Sequence, residues 1–398
     1  MSDKNNKSIK PGWRRVKFGD VVRLSKARSQ DPLADGIERY VGLEHLEPGD
    51  LRIRSWGNVV DGVTFTSVFQ PGQVLFGKRR AYQRKVAVAE FSGVCSGDIY
   101  VLETKDAQIL LPELLPFICQ TDAFFDHAVG TSAGSLSPRT NWTSMADFEF
   151  VLPSKEAQKL ILAVLTSYSA LDDEYASANR CALDLLSSHA NAIFANRKYD
   201  LFAFGKVLTQ QPQSGLYKAQ EFLGRGTKIV NMGELFGFDK IVDSIDMKRM
   251  ELTQGEVSKY QLTPDDLLFG RRSIVLEGAG KCSMVGVLQE PVIFESSILR
   301  VTVNHEIVLP QFIFEWLRSP KGIQQITRIR SFTTVAGIAG SDLKRIVVPV
   351  MPIKEQLAIS EELSSMRASV GALNQRQAAN RSIKKTILEE ILGRGDVH

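Results

Sequence analysis

The sequence predicts an α+β chain of two similar globular domains, each followed by a long helix. The two helices are expected to pair as an antiparallel coiled coil with an approximate two-fold axis. Three observations predict this. The second half repeats the phrases of the first in the same order. Each copy opens with short β-branched runs bounded by Gly, Ser or Asp. Each copy ends in a long stretch whose apolar residues keep heptad spacing. The expected boundaries are 1–153 and 201–352 for the domains, and 154–200 and 353–398 for the helices.

The repeat is read phrase by phrase. KFGDV (Lys17–Val21) matches AFGKV (Ala203–Val207), 186 positions on. YVGLEHL (Tyr40–Leu46) resembles IVNMGEL (Ile229–Leu235) at an offset of 189. PGQVLFGKRR from Pro71 matches PDDLLFGRRS from Pro264 at 193. CSGDIYVL (Cys95–Leu102) resembles ESSILRVT (Glu295–Thr302), and LPELLPFI (Leu111–Ile118) matches LPQFIFEW (Leu309–Trp316) at 198. LPSKEAQ (Leu152–Gln158) matches MPIKEQ (Met351–Gln356). A slowly growing offset is what loop insertions between two copies of one domain produce.

Within the first copy, QVLFGK, KVAVAEF and DIYVLET read as strands; DLLFGR, CSMVGVL and SILRVTV correspond in the second. A helix is expected after Pro112 and after Pro310, since proline suits the first helical turn. A polar loop follows, GTSAGSLSPRTNW (Gly130–Trp142) or SFTTVAGIAGS (Ser331–Ser341). A last strand then ends in proline.

From Ser154 to Asn196 there is no Pro or Gly. At 1.5 Å per residue such a helix is roughly 60 Å long, twice the span of a small domain, which argues for a coiled coil over local packing. Its apolar rows are Ile161, Tyr168, Tyr175 and Ala182, with Val164, Leu171, Ala178 and Leu185 beside them. The second helix, from Ile353 to about Leu392, shows Ile359, Met366, Leu373 and Ile387 with Leu363, Val370 and Ile391. Gln377, Asn380 and Lys384 interrupt its seam, which suits a role in fixing register and direction.

The chain has 398 residues, 43% hydrophobic and 24% charged, the profile of a soluble globular protein. Its net charge is only +4, but residues 1–30 carry +7 and residues 71–90 carry +4. Basic clusters on a nearly neutral chain point to a polyanion surface. Cys95, Cys119, Cys181 and Cys282 lack CxxC spacing and read as buried thiols of a reducing cytosol. The opening MSDKNNKSIKPGW lacks the apolar core of a signal peptide, and no apolar run approaches the ~18 residues of a membrane span. A cytoplasmic location and no membrane partner are expected.

Two domains held a fixed distance apart suit a ligand that repeats along its length, and double-stranded DNA is the simplest. The strands ending at Gly77 and Gly270 place bases on a rigid edge, where glycine would allow a tight turn. Lys78, Arg79, Arg80, Arg84 and Lys85, with Tyr82 and Gln83, are the candidates in the first copy. Arg271, Arg272 and Ser273 are those in the second. The polar loops add Ser137, Arg139, Thr140, Asn141 and Trp142, and Arg328, Arg330, Thr333 and Thr334. A solvated turn of charges is the plainer alternative for the strand-end residues, and an ordinary loop for the others.

These features together resemble the specificity (S) subunits of Type I restriction-modification systems. The resemblance rests on the duplication, the Trp13–Val22 opening, PGQVLFGKRR, and VPVMPIKEQLAI (Val348–Ile359) leading into the second helix, and it covers essentially the whole chain. It implies that each globular part is a target recognition domain reading half of a bipartite DNA sequence. It implies that the helices set the spacer and dock two methyltransferase subunits, which hold S-adenosylmethionine and methylate adenine. A further subunit of such systems translocates and cuts DNA. Two departures stand out: PSKEAQ at the first junction where the second has PIKEQ, and Tyr199 where the first copy has Trp13.

Little in the sequence speaks for catalysis. GAGKCS (Gly278–Ser283) fails the GxxxxGK[ST] phosphate-loop pattern, because Val275 and Cys282 occupy two required positions. No methyltransferase Asn/Asp-Pro-Pro-Tyr/Phe phrase occurs. PDD (Pro264–Asp266) lacks a nearby Glu-x-Lys and reads as turn chemistry. His45, His127, His189, His305 and His398 are scattered without HExxH, and His189 reads as a packing or polar seam residue. The chain is therefore expected to have no catalytic, metal or cofactor-binding residues of its own. Two other classes stay open: a two-domain adaptor that binds no DNA, and a stand-alone endonuclease.

Overall fold

A computed structural model describes residues 10–332 and 335–393. Lys4, Lys7, Thr333, Thr334 and His398 lie outside them. The chain divides into two compact units, Met1–Ala176 with Gln375–His398, and Ser177–Asn374.

In the first unit, strand Arg14–Lys17 runs antiparallel to Glu149–Leu152. The Phe-Gly phrase after it becomes a one-turn helix, Phe18–Val21, that buries Phe18 and Val21. A four-stranded antiparallel sheet has the order Val22–Leu24, Ile99–Thr104, Val74–Gly77, Val86–Val88. A second sheet pairs Arg39–Val41 in parallel with Gly93–Cys95. Helix Asp122–Gly130 is capped by the Thr121 hydroxyl, which accepts the Phe124 N–H. Phe124 and Phe125 then pack on Phe76 in the core.

The second unit repeats this plan. Asp200–Ala203 pairs antiparallel with Val347–Val350, and the 3₁₀ turn Phe204–Val207 buries Phe204 and Val207. Strand Leu267–Gly270 lies between Cys282–Val285 and Ile298–Val301, and Leu223–Val230 runs parallel to Val292–Phe294. Helix Pro310–Leu317 starts at the expected proline, as does the 3₁₀ turn Pro112–Leu114 that leads into Leu115–Gln120. The six expected strands all form. Register refines the repeat: Gly77 faces Ile99 and Gly270 faces Ile298, so Asp98 corresponds to Ser297. That is one residue off the phrase match read from the sequence.

The junction phrases have a physical cause. The Gln158 side chain is buried; it donates to the carbonyls of Ile109 (2.9 Å) and Pro153 (3.0 Å) and accepts the Leu111 N–H (2.9 Å). Gln356 repeats this with Ile307 (2.9 Å), Met351 (2.8 Å) and Leu309 (2.8 Å). Each glutamine stitches the start of a long helix to the loop before the proline-led turn. The helices start at Lys155 and Ile353, both three residues before their glutamine. The first junction's departure therefore shifts the proline, not the helix.

The first long helix is Lys155–Asn196; the second, Ile353–Leu388, ends in a π-helical turn, Glu389–Gly393. Within the first unit they run antiparallel: Asn380 Nδ2 donates to the Tyr168 carbonyl (3.0 Å) and Arg381 pairs with Asp172 (2.7 Å). Within the second unit His189 meets Glu362 at 2.7 Å and Arg197 meets Glu355 at 3.6 Å, again antiparallel. Ile161 and Leu165 share the first core with Leu388 and Leu392. Leu186, Ile193 and Phe194 share the second with Ile359 and Leu363.

The expected seam needs one correction. Ile161 is buried, and Tyr168 and Tyr175 half-buried, as expected, but Val164, Leu171 and Leu185 are exposed by 42%, 42% and 62%. The second row is Leu165, Asp172, Asn179, Leu186 and Ile193. Two of its members are polar, so apolar residues one position earlier imitate the row. On the second helix Leu363 and Val370 are buried, and Met366, Leu373 and Ile387 half-buried, as expected.

Candidate nucleic-acid interface

The two loops singled out in the first copy come together. Beyond Gly77, the Lys78 N–H donates to the Asp98 carbonyl (2.9 Å), the Thr140 N–H to Lys78 (3.0 Å) and the Arg80 N–H to Pro138 (2.7 Å). Arg79 and Arg139 thus lie side by side on an isolated bridge. Both reach Asp98: Arg79 Nη1 at 3.1 Å and Arg139 Nε at 2.8 Å, while Arg79 Nε also donates to Ser137 Oγ (2.6 Å). Burial pushes the Asp98 carboxyl up, but the Arg139 and Arg79 guanidiniums outweigh it and hold the group below the usual carboxylate range. A carboxylate so held pins two guanidiniums at one edge.

Arg80 and Arg84 adopt left-handed backbone (φ 53° and 56°) around the short turn Ala81–Gln83. Arg80 is exposed and Tyr82 is 56% exposed. Arg79, Arg80, Gln83 and Lys85 line one cavity of about 440 Å³ with Leu43, Glu44, Ser96 and Asp98. Arg84 and Lys85 turn inward instead. Arg84 lies over the Phe125 ring (4.5 Å) and bonds Asp122 and the Gln120 carbonyl, and Lys85 Nζ donates to the Leu43 carbonyl (2.8 Å). Lys78 sits 4.6 Å over the Tyr100 ring, and Asn141 caps the turn Trp142–Ala146 by accepting the Ser144 N–H (2.8 Å).

The second copy builds the same junction. The Arg271 N–H donates to the Ser297 carbonyl (2.7 Å), and Arg272–Ser273 pairs with Ala336–Gly337, part of the second polar loop. Here Ser297 replaces the pinning Asp98, and the exposed Arg272 side chain has no hydrogen bond or ion pair among the described residues. Arg328 is exposed at the end of helix Pro320–Ile329. Two expectations change. Ser273 is 7% exposed, and its hydroxyl accepts the Val275 N–H (3.2 Å). Arg330 Nε donates to the Ala279 carbonyl (2.7 Å), bracing the loop from inside. Gly77 and Gly270 also lack positive φ. Gly270 is required by space, since a Cβ there would lie 2.2 Å from the Gly278 carbonyl oxygen.

The segments set aside as non-catalytic have ordinary roles. Asp266 is buried and accepts the Thr263 N–H and hydroxyl and the Thr302 hydroxyl, as turn chemistry requires. Lys281 of the GAGKCS phrase donates to the Phe236 carbonyl. Cys95, Cys119 and Cys282 are buried, and burial pushes the Cys95 thiol up to about 12; Cys181, against expectation, is exposed on the first long helix. Among the described residues no group of three or more His, Cys, Asp or Glu could hold a metal. No described helix is long and apolar enough to cross a membrane.

Sequence reasoning missed Asp98. A lone Asp before a strand carries no pattern, and only the fold shows that it meets arginines from two distant positions. Ser137, one of the expected loop residues, proves to accept from Arg79.

The fold is that of Type I restriction-modification S subunits. A chain from a type I R-M system complex superposes with a TM-score of 0.59 at 17% identity, covering 96% of this chain and 98% of that one. The S subunit from M. genitalium gives 0.57 at 12% identity, over 98% and 97%. The sequence relatives agree with the resemblance read from the motifs. The EcoKI specificity subunit of Escherichia coli K12 is 26% identical over 44% of this chain and 37% of its own length. The EcoDI specificity subunit of Escherichia coli is 25% identical over 51% and 44%. The MjaVIII specificity subunit of Methanocaldococcus jannaschii is 20% identical over 96% and 92%. The match thus spans less than half the length of the two Escherichia coli relatives. No protein-family model matches the chain.

Proposed function

We propose that this chain is the DNA-recognition subunit of a Type I restriction-modification complex. It reads a bipartite target with one domain per half-site, residues 1–153 and 201–352. The helical segments 154–200 and 353–398 set the spacer and dock two methyltransferase subunits. The observation that carries this reading is the junction built twice: a buried central strand delivers guanidiniums to an edge where a second polar loop meets it. Guanidiniums on a rigid edge neutralise phosphates and can fork onto guanine.

Catalysis belongs to the partners in this reading. The methyltransferase subunits hold S-adenosylmethionine, and the adenine leaves the stack to reach it, so this chain positions a base that its partner flips. Where the system has a restriction subunit, it joins the same complex, in the cytoplasm.

The test is methylome sequencing of cells carrying this chain with its cognate methyltransferase, against cells lacking it. A methylated-adenine motif in two parts with a fixed gap is expected. Arg79→Ala and Arg272→Ala should each weaken recognition of a different half-site. Absence of any new motif would favour the adaptor class, and both substitutions altering one half-site would refute the assignment of one domain per half.

A further inference from the structure

The two copies differ in what the loop after the central strand presents. In the first, Ala81 is buried and the tip carries Arg80, Tyr82 and Gln83. In the second, the longer loop turns outward at Ile274, which is 91% exposed, with Val275 and Leu276 exposed by 50% and 45%. Three consecutive exposed aliphatic residues at one tip mark a candidate contact surface. The tip is also rigid. Arg272 and Ser273 hold one end to strand Ala336–Gly337, the Gly280 N–H donates to the Gly270 carbonyl (2.7 Å), and Arg330 braces the Ala279 carbonyl (2.7 Å).

The charges of the loop favour one occupant: Arg271, Arg272 and Lys281 outnumber the exposed Glu277. The Arg272 guanidinium, without a partner among the described residues, begins this loop, which favours a polyanion over an apolar protein face. The apolar group that DNA offers beside its phosphates is the thymine C5-methyl in the major groove. We propose that Ile274, flanked by Val275 and Leu276, reads thymine methyl groups in the half-site of the second domain. This rests on the recognition function proposed above. The first domain reads its half-site with polar and aromatic groups, so the two halves of the target are read by different chemistry.

The test uses the assembled complex of this chain with its methyltransferase and a duplex carrying the motif found in the methylome. The second domain's half-site is the one that Arg272→Ala weakens. Duplexes with thymine, or with deoxyuridine in its place, are compared for binding; uracil keeps the pairing and loses only the methyl. Wild type should bind the uracil duplex roughly fourfold more weakly per contacted methyl, the factor expected for burying one methyl-sized group. Ile274→Ala, at an exposed position that leaves folding intact, should bind both duplexes alike. Uracil in the other half-site should change nothing.

Equal binding of thymine and uracil duplexes by wild type overturns the inference, as does a second half-site with no A·T pair. Retained discrimination in Ile274→Ala assigns the reading to another residue and overturns it too. Brightening of 2-aminopurine beside the half-site, without a uracil effect, would mean that the tip wedges between bases instead. Binding of neither duplex above a scrambled control would overturn the recognition function itself.

Discussion

Arg80 is held in left-handed backbone at the tip of a loop, where a bulky residue is strained. It persists because its N–H is tied to Pro138 and the turn closes behind it. Arg80→Gly should raise stability by about 0.5–1 kcal/mol, the left-handed strain less glycine's entropy cost. It should weaken DNA binding at the same time, because the cation is lost. Urea denaturation and a binding titration read the two effects, and a loss of both stability and binding would show that the arginine packs rather than reads. The buried glutamines act oppositely. Gln158→Ala or Gln356→Ala leaves one N–H and two carbonyls without partners, at about 1–3 kcal/mol for each buried group left unsatisfied. Thermal melts should fall in both variants, and an unchanged melt would mean that water replaces the amide. The phrases around these glutamines were visible in the sequence as a repeat. Their cause was not, because the bonded carbonyls lie up to 49 residues away.

Among the elements, strands and helix starts were the most legible, since short β-branched runs and leading prolines carry local signals. The seam was half legible. Its first row is apolar, but Asp172 and Asn179 interrupt the second, and hydrophobicity then selects the neighbouring face. Gln377 and Asn380, read as interruptions, prove to bond Asp172 and Tyr168 across the helix pair. The second unit adds a charged element that sequence could not show. Glu290 accepts from Arg249 (2.8 Å), which follows Leu223–Val230 in its sheet, and pairs with Lys228 (3.0 Å) within that strand. Arg249 first, and then Lys228, holds its carboxyl down at about 2. A carboxyl lowered on folding adds stability that is complete above its unfolded value near 4.5 and is lost as pH falls toward about 2. Glu290→Gln should therefore flatten the acid limb of unfolding between those values. Coincident acid transitions in the two proteins would show that the pairing is too solvent-screened to matter.

For the whole molecule, the duplication was legible because six phrases recur in one order. The composition of the first unit was not, because it includes Gln375–His398 from the far end of the chain. Leu388 and Leu392 complete a core otherwise built before residue 166, and Glu389 accepts the Asp122 N–H (2.7 Å). A chain truncated after Asn374 should lose this support. Its first domain should melt earlier and be cleaved faster by protease, while the second unit, complete by Asn374, keeps its transition. Equal protection of the first domain in full-length and truncated chains would show that the terminal helix is dispensable.

The same discontinuity governs the order of manufacture. Synthesis runs from the amino end, and domains ordinarily close as they emerge. Here the earlier-made domain lacks part of its core until Leu388 and Leu392 have left the ribosome. The second unit can finish folding while the first still waits, its socket for Leu388 and Leu392 open to solvent. The first unit is thus expected to reach its full stability after the second, and a chain cut after Asn374 is weakened far from the cut.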